Sequence, residues 1–367
     1  NLIYFLIEDE IMYWEWSLQG AFMPWSDIST NTLSERMPGA FIFFQILQWL
    51  TKTNLFYILI IQSIIDSFSV VIIANCAHLL NKKYAFYTGI FAALSPLLII
   101  LSSHILSDTI FLLAFVSSLY FLIKYYKSEN FLIYLIISGL MLSIATYIRA
   151  ATFPFIFLSL PIIFFIIKYK NEKLIKVLSI LGLYLFASIF FIIPRLHYNI
   201  NENHTYSLTS QTGSHMSYWM VPGVLSLSKD LDRASSVNLV NSQIKKNGGL
   251  TGSAYLDSKI MMNAAIEILS KQNKFIISYA WLRASILNIV VSPILIDKRV
   301  RNLNHSSFAN SGEILPWLKG SLKNDVKLLD GDVIFVPFIE NTSRLGGSFK
   351  RPGEYEVLAN ETVQNII

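Results

Sequence analysis

The chain lacks most of what a secreted or soluble enzyme needs. Cysteine occurs once, at Cys76 inside an apolar run, so neither a disulfide framework nor a cysteine metal site can be built. Charged residues make up 14% of the 367 residues, whereas soluble domains carry about 25%. No glycine-rich nucleotide loop and no basic patch suited to nucleic acid are present, which argues against a soluble nucleotide-sugar enzyme and against a nucleic-acid partner. The charged start and small-residue cleavage site of a signal peptide are missing too. The first residue is Asn rather than Met, so the chain is expected to begin inside a longer protein.

What is present is apolar. Hydrophobic residues reach 53%, aromatics 14%, and the mean hydropathy is +0.50. The bias is uneven: residues 1–195 are very apolar, 196–274 are mixed, and 302–367 read like a soluble domain. A helix crosses the hydrocarbon core with about 17–25 apolar residues. Segments 54–80, 84–101, 106–124, 130–148, 151–168 and 174–194 qualify, and 275–296 is a seventh despite Arg283. Short connectors imply a compact, mainly α, polytopic bundle.

Lysine then orients the spans. Lys82 and Lys83, Lys124 and Lys127, and Lys168, Lys170, Lys173 and Lys176 all fall in alternate connectors. The other connectors hold Arg149 and no further cation. The positive-inside rule therefore places 1–53, 101–108, 148–152 and 195–274 outside the cytoplasm. The apolar segment 38–50 cannot span under that orientation and is expected to lie in the interface, with Gln45, Gln48 and Trp49 suited to it. Residues 11–25, with Tyr13 and the tryptophans Trp14, Trp16 and Trp25, are expected to form a second interfacial helix.

This topology gathers Glu8, Asp9, Glu10, Arg36, His104, Asp108, Arg149, Arg195 and His197 onto one membrane face. Acids and bases meeting there suit a charged ligand with a lipid tail, although each residue alone would also serve as a solvated helix end. Asp66, with Gln62 one turn earlier, sits in mid-span, where an ionisable residue draws functional attention; a packing role is the expectation for it, and for His78 and Cys76.

"EDEIMYWEWSLQG" followed by "RMPGAFIFF" resembles the Asp-Glu…Tyr and Arg-x-Pro-Gly pattern of polyprenyl-phosphate-sugar glycosyltransferases of the GT-C superfamily, which includes protein O-mannosyltransferases and lipid A aminoarabinose transferases. "LSPLLIILSSHILSDTIFLLAFVSSLYFL" and "ATYIRAATFPFI" resemble further segments of that family, and the likeness covers roughly residues 1–300. It implies a GT-C-like bundle, truncated at both ends, that moves a sugar from a polyprenyl-phosphate donor to a glycan, lipid or protein acceptor. It implies Asp9 as the catalytic carboxylate, with Glu10 supporting it or joining it around a divalent metal ion. Arg149 and Arg36 would hold the phosphate, while Tyr13, His104, Asp108, Arg195 and His197 would bind substrate. The polar loop 196–274, with "SLTSQTGSHMSYWMVPG", would shape the acceptor site.

The tail changes character. "DVKLLDGDVIFVPF" and "GGSFKRPGEYEV" alternate turn signals with strand-like runs, and resemble an SLBB domain, the β-grasp module of polysaccharide export proteins. The expectation is a small α+β domain over 313–367, joined through 301–312 by a linker or a fusion of reading frames. Together the two resemblances imply a bacterial inner-membrane protein of surface-glycan assembly, with its active site facing the periplasm or exterior and contact with export machinery. A polysaccharide polymerase or flippase, and an export component acting through the tail, remain alternatives.

Overall fold

The structure, a computed structural model, describes residues 6, 9–19, 34–128, 132–169, 173–290, 342–345 and 353–356. It divides into two units, residues 1–303 and 304–367. In the first, α1 (Asp9–Gln19) and α2 (Gly39–Thr51) precede α3 (Leu55–Leu80), α4 (Ala85–Ala93), α5 (Pro96–Ser102), α6 (Asp108–Lys127), α7 (Leu132–Ile148), α8 (Phe153–Tyr169), α9 (Leu174–Ile189) and α10 (Ile193–Asn203). Then come α11 (Gln211–His215), a π-helical turn (Met216–Met220), α12 (Val221–Lys229), α13 (Arg233–Lys246), α14 (Ala254–Ser270) and α15 (Lys274–Val290).

Among the described residues, four helical stretches are long and apolar enough to cross a membrane: 55–80, 108–127, 150–169 and 174–203. The pair α4 and α5, bent by 54°, makes a fifth if it is one span. The protein is thus a multi-pass membrane protein. α7 has 17 residues, or about 25 Å of helix, at the short limit for a span. It is nevertheless interior: it packs between α6 and α9, burying Leu135, Leu142 and Ala145.

Small residues make that packing possible. Ser118 and Ser138 each donate their hydroxyl to the other's carbonyl, at 2.9 and 2.8 Å. A side chain on Gly139 would come within 2.9 Å of Ala187 Cβ. Lipid is as apolar as a leucine side chain, so close backbone approach and such hydrogen bonds hold membrane helices together where burial cannot. The lysine-bearing ends are tied to aromatics: Lys124 Nζ lies 4.6 Å from the centre of the Tyr134 ring.

α2 turns one face to the protein, with Phe41, Phe44 and Leu47 buried, and leaves Ile42, Ile46, Trp49 and Leu50 exposed. That suits the expected surface helix with one correction. Gln48 does not face the interface; it is buried and donates to the Trp14 carbonyl at 3.0 Å. α2 stops at Lys52, whose left-handed φ of 52° lets its N–H close on the Gln48 carbonyl, and Asn54 caps α3 by accepting from the Phe56 N–H. At its other end Gly39 lies so close to α7 that a Cβ would meet the Tyr147 carbonyl at 2.7 Å. The missing side chain brings Arg36 and Arg149 to one end of the bundle. Where a second surface helix was expected over 11–25, α1 spans Asp9–Gln19 with Tyr13 and Trp14 buried against the protein; residues 20–33 lie outside those described.

Residues 204–290 form a separate helical core in which Val221, Val224, Leu225, Val240, Ile244, Ala264 and Ala265 are buried. Ile276, Ile277 and Ala280 of α15 pack against it. Over its described length α15 has 17 residues, short for a span, and carries Lys274 and Arg283; 291–296 lie outside the described residues. The loop before α14 is shaped by Asp257, which accepts from the Thr251 N–H (2.6 Å), the Thr251 hydroxyl (2.8 Å) and the Gly252 N–H (3.0 Å). Burial pushes this carboxyl up, but the hydrogen bonds outweigh it and hold it below its ordinary value.

In the second unit β1 (Thr342–Leu345) and β2 (Gly353–Glu356) pair antiparallel, with Ser343 opposite Tyr355. The rest of the expected β-grasp domain, and the 301–312 junction, lie outside the described residues.

Two outcomes are expected. Gly139→Leu pushes α7 from α9 and lowers the yield of folded protein in detergent, whereas Ser138→Ala costs about 0.6 kcal/mol. Asp257→Asn destabilises the helical core of 204–290 by roughly 0.5–1 kcal/mol at pH 7. Because the folded carboxyl titrates below its unfolded value, this contribution is present above the unfolded value near pH 4 and disappears as pH falls through the folded one. Thermal unfolding of both proteins at pH 7 and pH 3.5 checks this, since the difference between them should shrink at the lower pH.

Candidate active site

Asp9 and Glu10 are adjacent on α1, so they point about 100° apart around the helix. That offset separates their environments. Glu10 is 4% exposed. Its Oε1 accepts the Ile105 backbone N–H at 3.0 Å and lies 2.8 Å from His104 Nδ1. Asp9 has a side chain 53% exposed, and its Oδ2 accepts from Arg36 Nη2 at 2.9 Å. Among the described residues Asp9 Oδ1 has no partner.

His104 lies in the turn between α5 and α6. It is also buried, and the turn is fixed from below by Gln62, whose Nε2 donates to the carbonyls of Ser102 (3.1 Å) and His104 (2.8 Å). One turn further on, Asp108 begins α6 and pairs with Arg149, which follows the end of α7. The Arg149 guanidinium also stands 5.7 Å from the Phe111 ring centre, in the range of a cation–π contact. Its side chain is 38% exposed, so both groups of this pair are reached by water.

Six of the expected residues thus meet in three pairs at one end of the bundle: Asp9 with Arg36, Glu10 with His104, and Asp108 with Arg149. Three others do not join them. Tyr13 is a core residue, 5.1 Å ring to ring from Phe41; on α1 it falls on the buried side, three residues after Glu10. Arg195 is 2% exposed and ties α10 to the helical segment 204–290, with Nε donating to the Leu208 carbonyl (3.2 Å) and Nη2 to the Tyr255 hydroxyl (3.0 Å). His197 is exposed on α10, 3.0 Å from Asn201 one turn on. Glu8 lies outside the described residues.

Nothing in the sequence pattern singled out Gln48 and Gln62 as part of the site, apart from the spacing of Gln62 to Asp66. Their partners are backbone carbonyls, which leave no trace in composition. The helical segment 204–290 reaches the same end of the bundle: the Ser210 N–H donates to the Ser34 carbonyl at 2.7 Å, two residues before Arg36. Among the described residues no three His, Cys, Asp or Glu side chains are grouped to hold a metal ion. Asp9 and Glu10, the expected metal candidates, are engaged by different partners in different directions.

Residues 35–198 match the family model described as dolichyl-phosphate-mannose-protein mannosyltransferase. The match covers less than half of the chain, includes Arg36, His104, Asp108 and Arg149, and begins after Asp9 and Glu10. It supports a membrane glycosyltransferase of the GT-C type. No curated protein and no solved structure matches the chain.

The burial contrast gives an expectation that needs no substrate. Glu10→Ala removes the acceptor of the Ile105 N–H and the contact with His104, and costs about 1–3 kcal/mol. Asp9→Ala, at an exposed position, stays within about 0.5 kcal/mol of the native protein. Thermal unfolding of the two variants in detergent should rank them in that order.

Proposed function

We propose that the protein transfers a sugar from a polyprenyl-phosphate donor to an acceptor on the extracytoplasmic face of a bacterial inner membrane. The observation that carries this reading is the exposed Asp9 carboxylate, oriented by Arg36 through one oxygen, with the other unpartnered among the described residues, at the same bundle end as the partly exposed Arg149. Asp9 is the base. It accepts the proton of the acceptor hydroxyl as that oxygen forms a bond to the anomeric carbon, while the bond from that carbon to the phosphate oxygen breaks. The leaving group departs as a stable phosphate anion, so a cation that holds it matters more than a proton donor. Arg149 fills that role, exchanging part of its contact with Asp108 for the phosphate, and Arg36 assists. Direct displacement inverts the sugar. Glu10 and His104 form the wall that sets the position of Asp9.

The lysines at the opposite ends of the spans support the orientation, through the positive-inside rule. A site at the outer mouth of a lipid-embedded bundle suits a donor whose polyprenyl tail stays in the bilayer. The residue roles proposed here require no metal ion. The SLBB-like sequence of the tail favours a place in surface polysaccharide assembly, with export machinery as a partner. The sugar and the acceptor are set by contacts beyond the three pairs.

The test is consumption of labelled undecaprenyl-phosphate sugars by membranes containing the full chain. Asp9→Asn should lower the rate by at least about 100-fold at unchanged expression, and Arg149→Ala by about 100- to 1,000-fold. Full activity of Asp9→Asn would remove the base, and no consumption of any donor by the native chain would overturn the transferase reading.

A further inference from the structure

Two glutamines inside the apolar helices are bound in a way that packing does not explain. Gln62 is fully buried in α3, seven residues past its start, or about 10 Å along the axis. Gln48, on α2, is 3% exposed. The Gln62 amide stands against two carbonyls, those of Ser102 and His104, which fixes its orientation, because a flipped amide would set oxygen against oxygen. The Gln48 amide stands against the Trp14 carbonyl, four residues along α1 from Glu10. Among the described residues the Oε1 of each side chain is buried without a hydrogen-bond partner.

An unpartnered buried carbonyl is costly, by about 1–3 kcal/mol. A methionine of similar shape would fill either position without that cost. What methionine cannot supply is the N–H, and in both cases the N–H goes to the main chain of an element that carries half of one contact. Gln62 fixes the turn of His104, and Gln48 fixes the helix of Glu10. The two halves meet at 2.8 Å, although 94 residues separate them in sequence.

We propose that Gln48 and Gln62 are positioning residues that set the Glu10–His104 contact from its two sides, acting through main-chain carbonyls and touching no substrate. The kinetic consequence rests on the transferase reading above; the structural consequence does not. With Gln62→Met, the His104 turn loses its tie while the core keeps its volume. The His104 ring, now 8% exposed as part of its residue, opens to water. Gln48→Met has the same effect from the other side by loosening α1. Gln45→Met, on α2 but outside this arrangement, is the control.

The experiment is diethyl pyrocarbonate labelling of the full chain in membranes, with the modification of His104 followed by mass spectrometry, beside a thermal unfolding curve. The expected result is labelling of His104 at least tenfold faster in Gln62→Met and Gln48→Met than in the native protein or Gln45→Met, with unfolding midpoints within a few degrees of native. Native-like labelling of His104 in the folded variants overturns the proposal. If Gln62→Met does not accumulate, Gln62→Asn keeps the amide but falls one methylene short of the carbonyls, and the same criterion applies. Gln62→His, which presents a ring N–H at similar reach, should restore part of the protection. In donor consumption, both methionine variants should lose at least tenfold in kcat with KM changed less than twofold; a change confined to KM would contradict a positioning role. If the native chain consumes no donor, the transferase reading fails by itself, and the labelling result still decides the positioning claim.

Discussion

The buried carboxylate of Glu10 is the constraint around which this end of the protein is built. A carboxylate removed from water must be compensated by hydrogen bonds or opposite charge. α1 meets that need by docking where Glu10 Oε1 reaches the Ile105 N–H and His104. Once α1 is docked, the helical repeat turns Asp9, one residue earlier, outward and into reach of Arg36. The same docking packs Tyr13 and Trp14 among Phe41, Phe44 and Ile105. One interaction thus fixes both the hidden and the presented acid.

The two parts of the first unit are stabilised by different physics. Within the bundle, serine pairs and glycine contacts bring helices close where lipid offers no hydrophobic gain. In the helical core of 204–290, burial of aliphatic side chains from water supplies the drive, and Asp257 gives the preceding glycine-containing loop its shape. Arg195 belongs to this second kind of stability. Buried between Leu208 and Tyr255, it secures the return of the chain after α10, and the Ser210–Ser34 hydrogen bond then sets the segment 204–290 beside Arg36.

Three acid–base pairs side by side also divide the work. Glu10 with His104 is buried and rigid. Asp9 with Arg36, and Asp108 with Arg149, stay accessible to water, where an ion pair has only a small net value of about 0–1 kcal/mol. Pairs held that weakly can exchange a partner at little cost, which a buried pair cannot.

The sequence alone determined what local composition encodes. Most spans lie within a few residues of their expected places, as does the surface helix over 39–51. Asp9, Glu10, Arg36, His104, Asp108 and Arg149 were all legible as a set, because span parity assigns each connector to an end. The fate of each residue was not legible. That Glu10 rather than Asp9 would be buried depends on how α1 rotates against a turn almost a hundred residues away. That Tyr13 and Arg195 would be packed inside, and His197 left on a surface, depends on which helix covers which. The partners of Gln48 and Gln62 were not legible either, since both recognise backbone carbonyls that every residue has. Only the tertiary structure could decide these points, because hydropathy and charge are summed along the chain, whereas a hydrogen bond depends on distance and direction between segments that the sequence leaves far apart.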